Sequence, residues 1–398
     1  MKKTAAVLLA VLAVPAVADD EARFPRNATF TTLVVTPLAI EGLTGDQSGN
    51  LYTTGRDLNA GDNCPVWRIN ANVAHPPLVP VGYIPNPAGA CNPSGIAFDD
   101  LGNLYVADGG PAATVWKLTP NETTPPVASA FATGVPGTNG LAFDREGNLW
   151  TGDGTTSQGR VWRITAAGAN CQTGADCAEV FRIQPMRNGT DLGGKVTAPG
   201  VGRTNNTVPT NNAQNLVANG LAFDEDGDLL VADTARGAIW KVEFHRDGRL
   251  KSATNCDTTF PANTLCLDNV FIAHPYLEGT DGIALDHAGT IWNAANERNA
   301  IVAVTKNGRV TEVFRNPPNA ALLRSSADDN TRILETPTSP FLLGKRLCVA
   351  QSDGGRRDNA PNTAGEVNSA NVLTEEKRGK ISCMDQELHV PGMRLPVR

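Results

Sequence analysis

Residues 218–234 read ANGLAFDEDGDLLVADT, and four other stretches of the chain repeat this pattern. They are IEGLTGDQSGNLYTT (40–54), PSGIAFDDLGNLYVAD (93–108), TNGLAFDREGNLWTGD (138–153) and TDGIALDHAGTIWNAAN (280–296). In each copy a Gly precedes a short, mostly apolar run, and an Asp follows four positions after that Gly. A second Gly comes three positions after the Asp and leads into another apolar run. Two short apolar runs around an Asp/Gly turn predict a β-hairpin.

A third apolar run follows each hairpin, as VWRIN (66–70), VWKLT (115–119), VWRIT (161–165), IWKVE (239–243) and IVAVT (301–305). Some copies add a fourth, such as VASAFAT (127–133) and RVTEVFR (309–315). The repeating unit is therefore a four-stranded antiparallel meander. One such sheet cannot bury both of its faces, whereas sheets stacked around an axis can, so the repeats predict a β-propeller.

A sixth, degraded copy with a shorter turn, SPFLLGKRLCVAQSD (339–353), predicts six blades. The N-terminal stretch TTLVVTPLAI (31–40) is expected to supply the missing outer strand of the last blade. Pairing the two ends of the chain in this way would close the ring and leave no open sheet edge. We therefore expect an all-β fold with a single propeller domain over residues 19–398.

The first 18 residues predict a signal peptide. Lys2 and Lys3 form a basic start, an apolar stretch runs from Thr4 to Pro15, and residues 16–18 (AVA) match a cleavage site. The apolar stretch is too short for a stable membrane anchor, so we expect a bacterial periplasmic or secreted protein with no membrane association after cleavage. The formal charge of −7 becomes −9 without the two lysines. No basic cluster with interleaved aromatic residues occurs, so we expect no nucleic-acid partner.

The eight cysteines suit an oxidising compartment. Pairing each cysteine with its neighbour in sequence is compatible with the expected strand order, although an even count does not determine the connectivity. The neighbour pairs are Cys64–Cys91, Cys171–Cys177, Cys256–Cys266 and Cys348–Cys383. Metal ligation by cysteine is the alternative, and it is disfavoured because no CxxC pair occurs.

The residue before the first Gly of each copy varies, while its neighbours hardly do. This residue begins the innermost strand, at the mouth of the central tunnel, and we call the face on which the innermost strands begin the ring face. The six residues are Glu41, Ser94, Asn139, Asn219, Asp281 and Ser339. All carry side-chain oxygen atoms, and two are carboxylates. Such a set predicts a hard-cation site, with calcium favoured, magnesium possible and zinc disfavoured.

Some of these acidic and amide residues have simpler explanations. Asn-Gly and Asp-Gly pairs are common in turns, so each ring residue alone could be a turn former. The recurring hairpin aspartates are expected to form turns: Asp99, Asp144, Asp224 and Asp286. Those that end the second strand are expected to cap turns, with substrate contact as the alternative: Asp108, Asp153, Asp233 and Asp353. The five histidines fall outside the ring, which argues against a His-based catalytic dyad.

The succession Glu41-Gly42, Asn139-Gly140, Asn219-Gly220 and Asp281-Gly282 within a six-bladed frame resembles the gluconolactonase-like family, which includes senescence marker protein (regucalcin). The resemblance covers roughly residues 35–390, and single repeats also look like the less specific NHL repeats. It implies that Glu41, Asn139, Asn219 and Asp281 hold a catalytic calcium. It also implies hydrolysis of sugar lactones or organophosphates.

The chain departs from this family in its export signal, its cysteines and three long segments, 185–217, 316–337 and 354–380, expected on the ring face. These segments would form a lid over the site, or they are tolerated insertions. The leading hypothesis is a calcium-dependent hydrolase of lactones or related esters, with Asp281 as general base or, alternatively, as nucleophile. A non-catalytic NHL-type binding scaffold is the second hypothesis. A quinone-dependent oxidoreductase is the third, and the absence of cationic side chains in the ring disfavours it. The substrate would be a small molecule, and the sequence does not indicate an oligomeric state.

Overall fold

A computed structural model describes residues 24–25, 28–56, 62–86, 90–110, 113–171, 176–185, 218–315, 334, 336–352 and 379–393. The predicted signal peptide lies outside these residues, and so does most of each of the three long segments. The described chain is almost entirely β-structure, with three short 3-10 turns at Leu267–Asn269, Pro275–Leu277 and Asn296–Arg298. None of the helices in this part of the chain is long and apolar enough to cross a membrane.

The strands of the first three blades follow one another along the chain, after an N-terminal strand that joins the last blade. They are β1 (Phe30–Thr36), β2 (Ala39–Ile40), β3 (Thr44–Gly45), β4 (Asn50–Arg56), β5 (Cys64–Asn70), β6 (Val79–Ile84), β7 (Pro93–Phe98), β8 (Leu104–Asp108), β9 (Thr114–Leu118), β10 (Ser129–Thr133), β11 (Thr138–Phe143), β12 (Leu149–Asp153), β13 (Arg160–Ile164), β14 (Ala169–Asn170) and β15 (Cys177–Arg182).

The remaining strands build the last three blades. They are β16 (Ala218–Phe223), β17 (Leu229–Asp233), β18 (Ala238–Val242), β19 (Val270–Ala273), β20 (Thr280–Leu285), β21 (Ile291–Ala295), β22 (Ala300–Val304), β23 (Val310–Arg315), β24 (Pro337–Leu343), β25 (Arg346–Gln351) and β26 (Gly379–Met384).

The strands form six sheets, each an antiparallel meander. Blade 1 contains β2 to β6, blade 2 contains β7 to β10 with β14 added in parallel at its edge, and blade 3 contains β11, β12, β13 and β15. Blade 4 contains β16 to β19, blade 5 contains β20 to β23, and blade 6 contains β24 to β26 with β1. Neighbouring innermost strands contact each other all round the axis, including β24 against β3. The predicted six-bladed β-propeller is confirmed.

The N-terminal strand completes blade 6. β1 pairs antiparallel with β26, from Phe30 opposite Met384 to Thr36 opposite Gly379, as expected for ring closure by the chain ends. The expected single strand over residues 31–40 is in fact two strands. β1 ends just before Pro37, which has no N–H to donate, and Ala39–Ile40 already pairs with β4 in blade 1.

The hydrophobic core lies between the blades. The described buried apolar residues form six clusters, and each cluster joins two adjacent blades. Trp240 of blade 4 packs with Phe181 of blade 3, for example, and both side chains are fully buried. Each sheet therefore buries both faces only because it has neighbours on both sides, which is the physical reason for a closed ring.

The hairpin aspartates are turn formers, as predicted. Asp99 accepts hydrogen bonds from the backbone N–H groups of Leu101 (2.9 Å) and Asn103 (2.8 Å), and its second oxygen accepts one from the Tyr105 hydroxyl (3.1 Å). Asp144, Asp224 and Asp286 accept the same two backbone bonds. The glycines that follow these four aspartates have φ between 74° and 86°, in the left-handed region that favours glycine.

All four predicted disulfides form. Their Cα–Cα distances run from 4.0 Å for Cys348–Cys383 to 6.2 Å for Cys64–Cys91. Cys348 and Cys383 face each other directly across β25 and β26, within the blade that the N-terminal strand completes. The described cysteines are all paired, so cysteine ligation of a metal is ruled out in this structure.

Candidate metal centre

A β-bulge positions the variable residue in four of the six inner strands. In blade 3, Thr138 lies opposite Asp153 and Leu141 lies opposite Thr151, so Asn139 and Gly140 share a single partner position. Equivalent register shifts occur in β7, β16 and β20. In blade 1 the inner strand is interrupted between β2 and β3, at residues 41–43. A bulge bends its strand and changes the direction of a side chain, so the residue before each Gly leaves the regular alternation.

The glycines that follow bring these residues together into a ring. A Cβ atom on Gly42 would lie 2.1 Å from the Ser94 carbonyl oxygen, and one on Gly95 would lie 2.2 Å from that of Asn139. The same contacts join Gly140 to Asn219 (2.3 Å) and Gly220 to Asp281 (2.6 Å). The Thr338 hydroxyl, next to Ser339, donates to the Glu41 carbonyl oxygen at 2.7 Å and completes the circuit. In blade 6 the corresponding contact joins Gly282 to the Thr338 carbonyl oxygen (2.5 Å), and Ser339 pairs regularly with Ala350. The structure thus brings five of the six predicted residues together in the predicted order, and the sixth ring position belongs to Thr338 rather than to Ser339.

The two ring asparagines direct their amide nitrogens away from the tunnel axis, toward the ends of the second strands. Asn219 Nδ2 donates to Thr234 Oγ1 at 3.3 Å. Asn139 Nδ2 occupies the space that a side chain on Gly154 would need, 2.2 Å from a Cβ placed there. This orientation leaves each amide oxygen, the atom that binds hard cations, on the opposite side from these contacts.

Asp281 is buried, and its carboxylate is held by a neighbouring amide. Its Oδ2 atom accepts a hydrogen bond of 2.8 Å from Asn296 Nδ2. Asn296 follows β21 directly and begins the 3-10 turn that connects the second and third strands of blade 5. The carboxylate orientation is therefore determined by the loop on the ring face.

Glu41 is the ring residue that fits a metal site least well. Its carboxylate forms an ion pair with the Arg56 guanidinium, and about 15% of each side chain is exposed. A cation bound beside Glu41 would have to share that carboxylate with Arg56. The Ser94 hydroxyl also has partners within the protein, because it contacts the carbonyl oxygens of Ala107 (3.4 Å) and Thr138 (3.3 Å).

The donor set nevertheless fits a hard cation. No group of three or more His, Cys, Asp or Glu side chains is placed to hold a metal among the residues described. The ring contains only two carboxylates and completes its set with amide oxygens, so its composition agrees with that result. Zinc and other metals that prefer nitrogen or sulfur ligands do not fit this set, whereas calcium accepts carboxylate and amide oxygens alike.

A second set of residues, which the sequence analysis did not identify, lies behind the ring residues, and most of its members contact a ring side chain. It occupies the position fourteen residues after each ring glycine, at the end of the second strand: Arg56, Gly109, Gly154, Thr234 and Asn296. Four of these touch a ring side chain directly, in blades 1, 3, 4 and 5. The repeats do contain a signal that identifies this set: the residue fourteen positions after the ring glycine varies between copies, just as the ring residue does.

The aspartates that end the second strand are turn caps, as predicted. Asp108 accepts from Trp116 Nε1 (3.1 Å) and from the backbone N–H of Gly110 (2.9 Å). Asp153 accepts from the backbone N–H of Thr156 at 2.9 Å and pairs with Arg160. Asp233 makes the corresponding bonds within blade 4. Asp353, the fourth member of this set, lies outside the described residues.

The histidines have other roles, in agreement with the sequence analysis. The ring nitrogen Nδ1 of His274 accepts from the backbone N–H of Tyr276 at 3.0 Å, in the loop before β20. Burial and the nearby Arg298 charge lower the pKa of His274, so the neutral ring predominates at neutral pH. His287 lies in the hairpin turn of blade 5, at the opposite face, where its backbone N–H donates to Pro391.

An apolar cavity of about 110 Å³ lies within the tunnel below the ring. The residues that follow the ring glycines line it, among them Phe98, Phe143, Phe223 and Phe341. The C-terminal segment lies at its far end, where Met393 contributes to the lining and the Met393 N–H donates to the Leu285 carbonyl at 2.9 Å.

Comparison with known proteins gives a family match for part of the chain. Residues 187–325 match the family described as SMP-30/Gluconolactonase/LRE-like region. The described part of this match, residues 218–315, spans blades 4 and 5 and contains Asn219 and Asp281. No curated protein sequence matches the chain. The resemblance to the gluconolactonase-like family is thus confirmed.

Solved structures of low sequence identity share the fold. A calcium-binding regucalcin from Agrobacterium tumefaciens strain C58 is 16% identical, with a TM-score of 0.51, and the match covers 92% of this chain and 97% of that one. A structural-genomics target assigned as a gluconolactonase is 15% identical, with a TM-score of 0.51 and coverage of 93% and 96%. The PQQ-bound aldose sugar dehydrogenase of Streptomyces coelicolor is 13% identical, with a TM-score of 0.53 and coverage of 91% and 100%. Because one fold carries several activities here, these structures support the architecture alone.

Proposed function

On the confirmed resemblance to the gluconolactonase-like family, we propose that this protein is an exported hydrolase of lactones or related esters that depends on a divalent cation, most simply calcium. The observation that carries the proposal is the ring of Glu41, Asn139, Asn219 and Asp281 at the mouth of the tunnel. Two carboxylates and two amide oxygens there suit a hard cation. When bound, such an ion supplies Lewis-acid polarisation of a carbonyl group.

The chain's own residues would divide the work as follows. Asn139 and Asn219 present amide oxygens, and Thr234 holds the nitrogen of Asn219 from behind. Asp281 accepts a proton from the water that attacks the lactone carbonyl, and Asn296 keeps its carboxylate in one orientation. The carbon–oxygen ester bond then breaks, and the proton passes to the departing alkoxide, which yields a hydroxy acid. Direct attack by the Asp281 carboxylate is the alternative role for the same residue.

Export is the second part of the proposal. It is supported by the signal-like residues 1–18 and by four disulfides, which persist in oxidising compartments. A periplasmic or secreted enzyme would meet its lactone substrates outside the cytoplasm.

A non-catalytic binding scaffold is the competing function, and one observation favours it. The Arg56–Glu41 ion pair already neutralises one ring carboxylate, which weakens the ring as a cation site. In a scaffold, the propeller would use the ring face to bind a ligand without turnover.

Lactone hydrolysis by the purified protein, measured before and after chelation and again after calcium is restored, tests the proposal. We expect activity to disappear on chelation and to return with calcium. In Asp281→Asn, kcat should fall at least 100-fold with the melting temperature little changed, because the amide cannot accept the proton. Asp226→Asn, an exposed acid in the blade 4 hairpin, serves as the matched control. Full activity in Asp281→Asn would contradict the assigned role, and no turnover on sugar or aliphatic lactones would favour the scaffold.

A further inference from the structure

Three arginines near the ring face each pair with a carboxylate. They are Arg160 with Asp153, Arg236 with Asp233 and Arg298 with Glu312, in blades 3, 4 and 5. A guanidinium group has a side edge, formed by Nε and one terminal nitrogen, that binds a planar oxyanion through two parallel hydrogen bonds. The three arginines differ in what occupies this edge.

Oxygens of the protein fill the side edge of two of them. Arg160 donates from Nε to Asp153 Oδ2 and from Nη2 to Thr156 Oγ1, both at 3.0 Å. Arg298 donates from Nε and Nη2 to Glu312 Oε2, at 3.1 and 2.8 Å. In both cases the edge is satisfied without a ligand.

Arg236 leaves the same edge empty. It is 1% exposed and uses Nη1 to bind Asp233 Oδ2 at 2.8 Å. Its Nε and Nη2 atoms have no hydrogen-bond partner within the described part of the chain. Buried donors are almost always paired in folded proteins, so an edge of this kind calls for a partner that the described residues do not supply.

The surroundings hold the Arg236 guanidinium in place. It lies over the Trp240 ring, 5.3 Å from the centroid. Asp233 cannot move to fill the open edge, because it also accepts hydrogen bonds from Trp240 Nε1 (3.0 Å) and from the Arg236 backbone N–H (3.1 Å). The side edge is therefore preorganised for a ligand.

Arg236 lies close along the chain to a residue that contacts the ring. Thr234, two residues before Arg236, accepts from the ring residue Asn219 and donates to the Thr280 carbonyl oxygen next to Asp281. The turn from Asp233 to Gly237 connects the second and third strands of blade 4 on the ring face. It contains both Arg236 and Thr234, and Thr234 contacts the ring at blades 4 and 5.

We propose that the side edge of Arg236 binds the carboxylate of a small ligand. The identification of this ligand with the hydroxy acid released from a lactone rests on the proposed function, whereas carboxylate binding itself does not. Asp233 already neutralises the arginine, so a second carboxylate binds reversibly rather than as a permanent counter-ion. That property suits a product that must leave the site.

Calorimetric titration of the full-length protein with gluconate, in the presence of a chelator so that no ring cation contributes, tests the inference. We expect saturable binding by the wild type and an affinity at least tenfold lower in Arg236→Gln. Arg236→Lys should lose a similar factor, because an ammonium group keeps the charge but lacks the two-donor edge. Arg160→Gln is the control, because oxygens of the protein already fill the side edge of Arg160. Its affinity for gluconate should stay within twofold of the wild type. Circular dichroism and melting temperature establish that each variant is folded.

Several outcomes would overturn the inference. These are no saturable gluconate binding by the folded wild type, unchanged affinity in Arg236→Lys, an equal loss in Arg160→Gln, or tighter binding of inorganic phosphate than of gluconate. Hydrolysis of lactones without gluconate binding would reject this inference alone. Gluconate binding without hydrolysis would reject the proposed function and keep the carboxylate site.

Discussion

Glu41 and Arg56 form an ion pair at the mouth of the tunnel, and this pair decides how strongly the ring can hold a cation. The guanidinium competes for the carboxylate that a calcium ion would need. Behind the other three ring residues stand uncharged groups: Gly154 at Asn139, the Thr234 hydroxyl at Asn219 and the Asn296 amide at Asp281. The charge of Arg56 therefore bears directly on how strongly the ring can bind a cation.

Replacing Arg56 with Gln should raise the affinity for calcium by about tenfold, since removal of a neighbouring positive charge is worth on the order of 1–2 kcal/mol in a half-buried site. Calcium titration calorimetry of the wild type and the variant would measure the change. Arg68→Gln, which removes an arginine from an exposed pair with Glu122, is the control and should leave the affinity unchanged. A weaker calcium site in the Arg56 variant would show that the arginine supports the ring rather than competing with it.

The β-hairpin is the element that the repeats share, and its two glycines have different physical roles. Gly140 lies where neighbouring inner strands approach each other, and a Cβ there would meet the Asn219 carbonyl at 2.3 Å. Gly147 lies in the turn at φ 82°, with nothing within 4 Å of an added Cβ. One glycine is required by packing between blades, and the other by the backbone conformation of the turn.

These roles predict different costs. Gly140→Ala should lower the free energy of unfolding by about 3 kcal/mol or more, because a backbone carbonyl cannot move aside without shifting the next blade. Gly147→Ala should cost about 1–2 kcal/mol, the strain of a left-handed alanine. Urea unfolding of the two variants measures both values. Equal costs would mean that the inner strands tolerate separation.

The hairpin aspartates also predict how stability depends on pH. Burial raises the pKa of Asp99, but hydrogen bonds from Asn103, Tyr105 and the Leu101 backbone outweigh it, so the net pKa lies below the usual value. A carboxyl group with a lowered pKa in the folded state contributes stability above its unfolded pKa, near pH 4, and loses that contribution as the pH falls through the folded value.

Asp99→Asn should therefore be less stable than the wild type at pH 7, and the difference should shrink below about pH 4. Urea unfolding at pH 7, 5 and 3 would check this. Asp226→Asn, which replaces an exposed acid in the corresponding hairpin of blade 4, provides the comparison. A constant difference at all pH values would assign the loss to hydrogen-bond geometry rather than to charge.

Closure of the ring joins the two ends of the chain, and a disulfide reinforces the closing blade. β1 pairs with β26, while Cys348 and Cys383 link β25 to β26 over a sequence separation of 35. The Cys171–Cys177 bridge spans a separation of only 6, within blade 3. The longer loop restricts the unfolded chain more, so its disulfide should contribute more to stability.

Replacement of Cys348 and Cys383 by Ser should lower the free energy of unfolding by about 4 kcal/mol, against about 2 kcal/mol for the Cys171 and Cys177 pair. Thermal and urea unfolding under non-reducing conditions would compare the two double variants. A larger loss from the short loop would indicate that native contacts around the bridge, rather than chain entropy, dominate its contribution.

The sequence by itself predicted the blade count, the meander order, the hairpin turns and five of the six ring positions, and it was compatible with the disulfide pairs without determining them. Each of these depends on a pattern that recurs at a fixed offset from a glycine. The residue before the ring glycine varies among Glu, Ser, Asn and Asp, for instance, while the positions equivalent to Leu221 to Phe223 stay mostly apolar. Repetition makes such patterns readable because every copy experiences the same local physics.

Only the tertiary structure decided which atoms of the ring remain available for a ligand. That Arg56 pairs with Glu41, that Thr234 and Asn296 orient Asn219 and Asp281, and that Arg236 keeps an empty edge all depend on loops that differ between blades. Arg56, Thr234 and Asn296 share one offset from the ring glycine, but the residue at that offset differs between blades, so the repeat does not specify which contact it makes. The repeat determines where the site lies, and the packing of its irregular loops determines its chemistry.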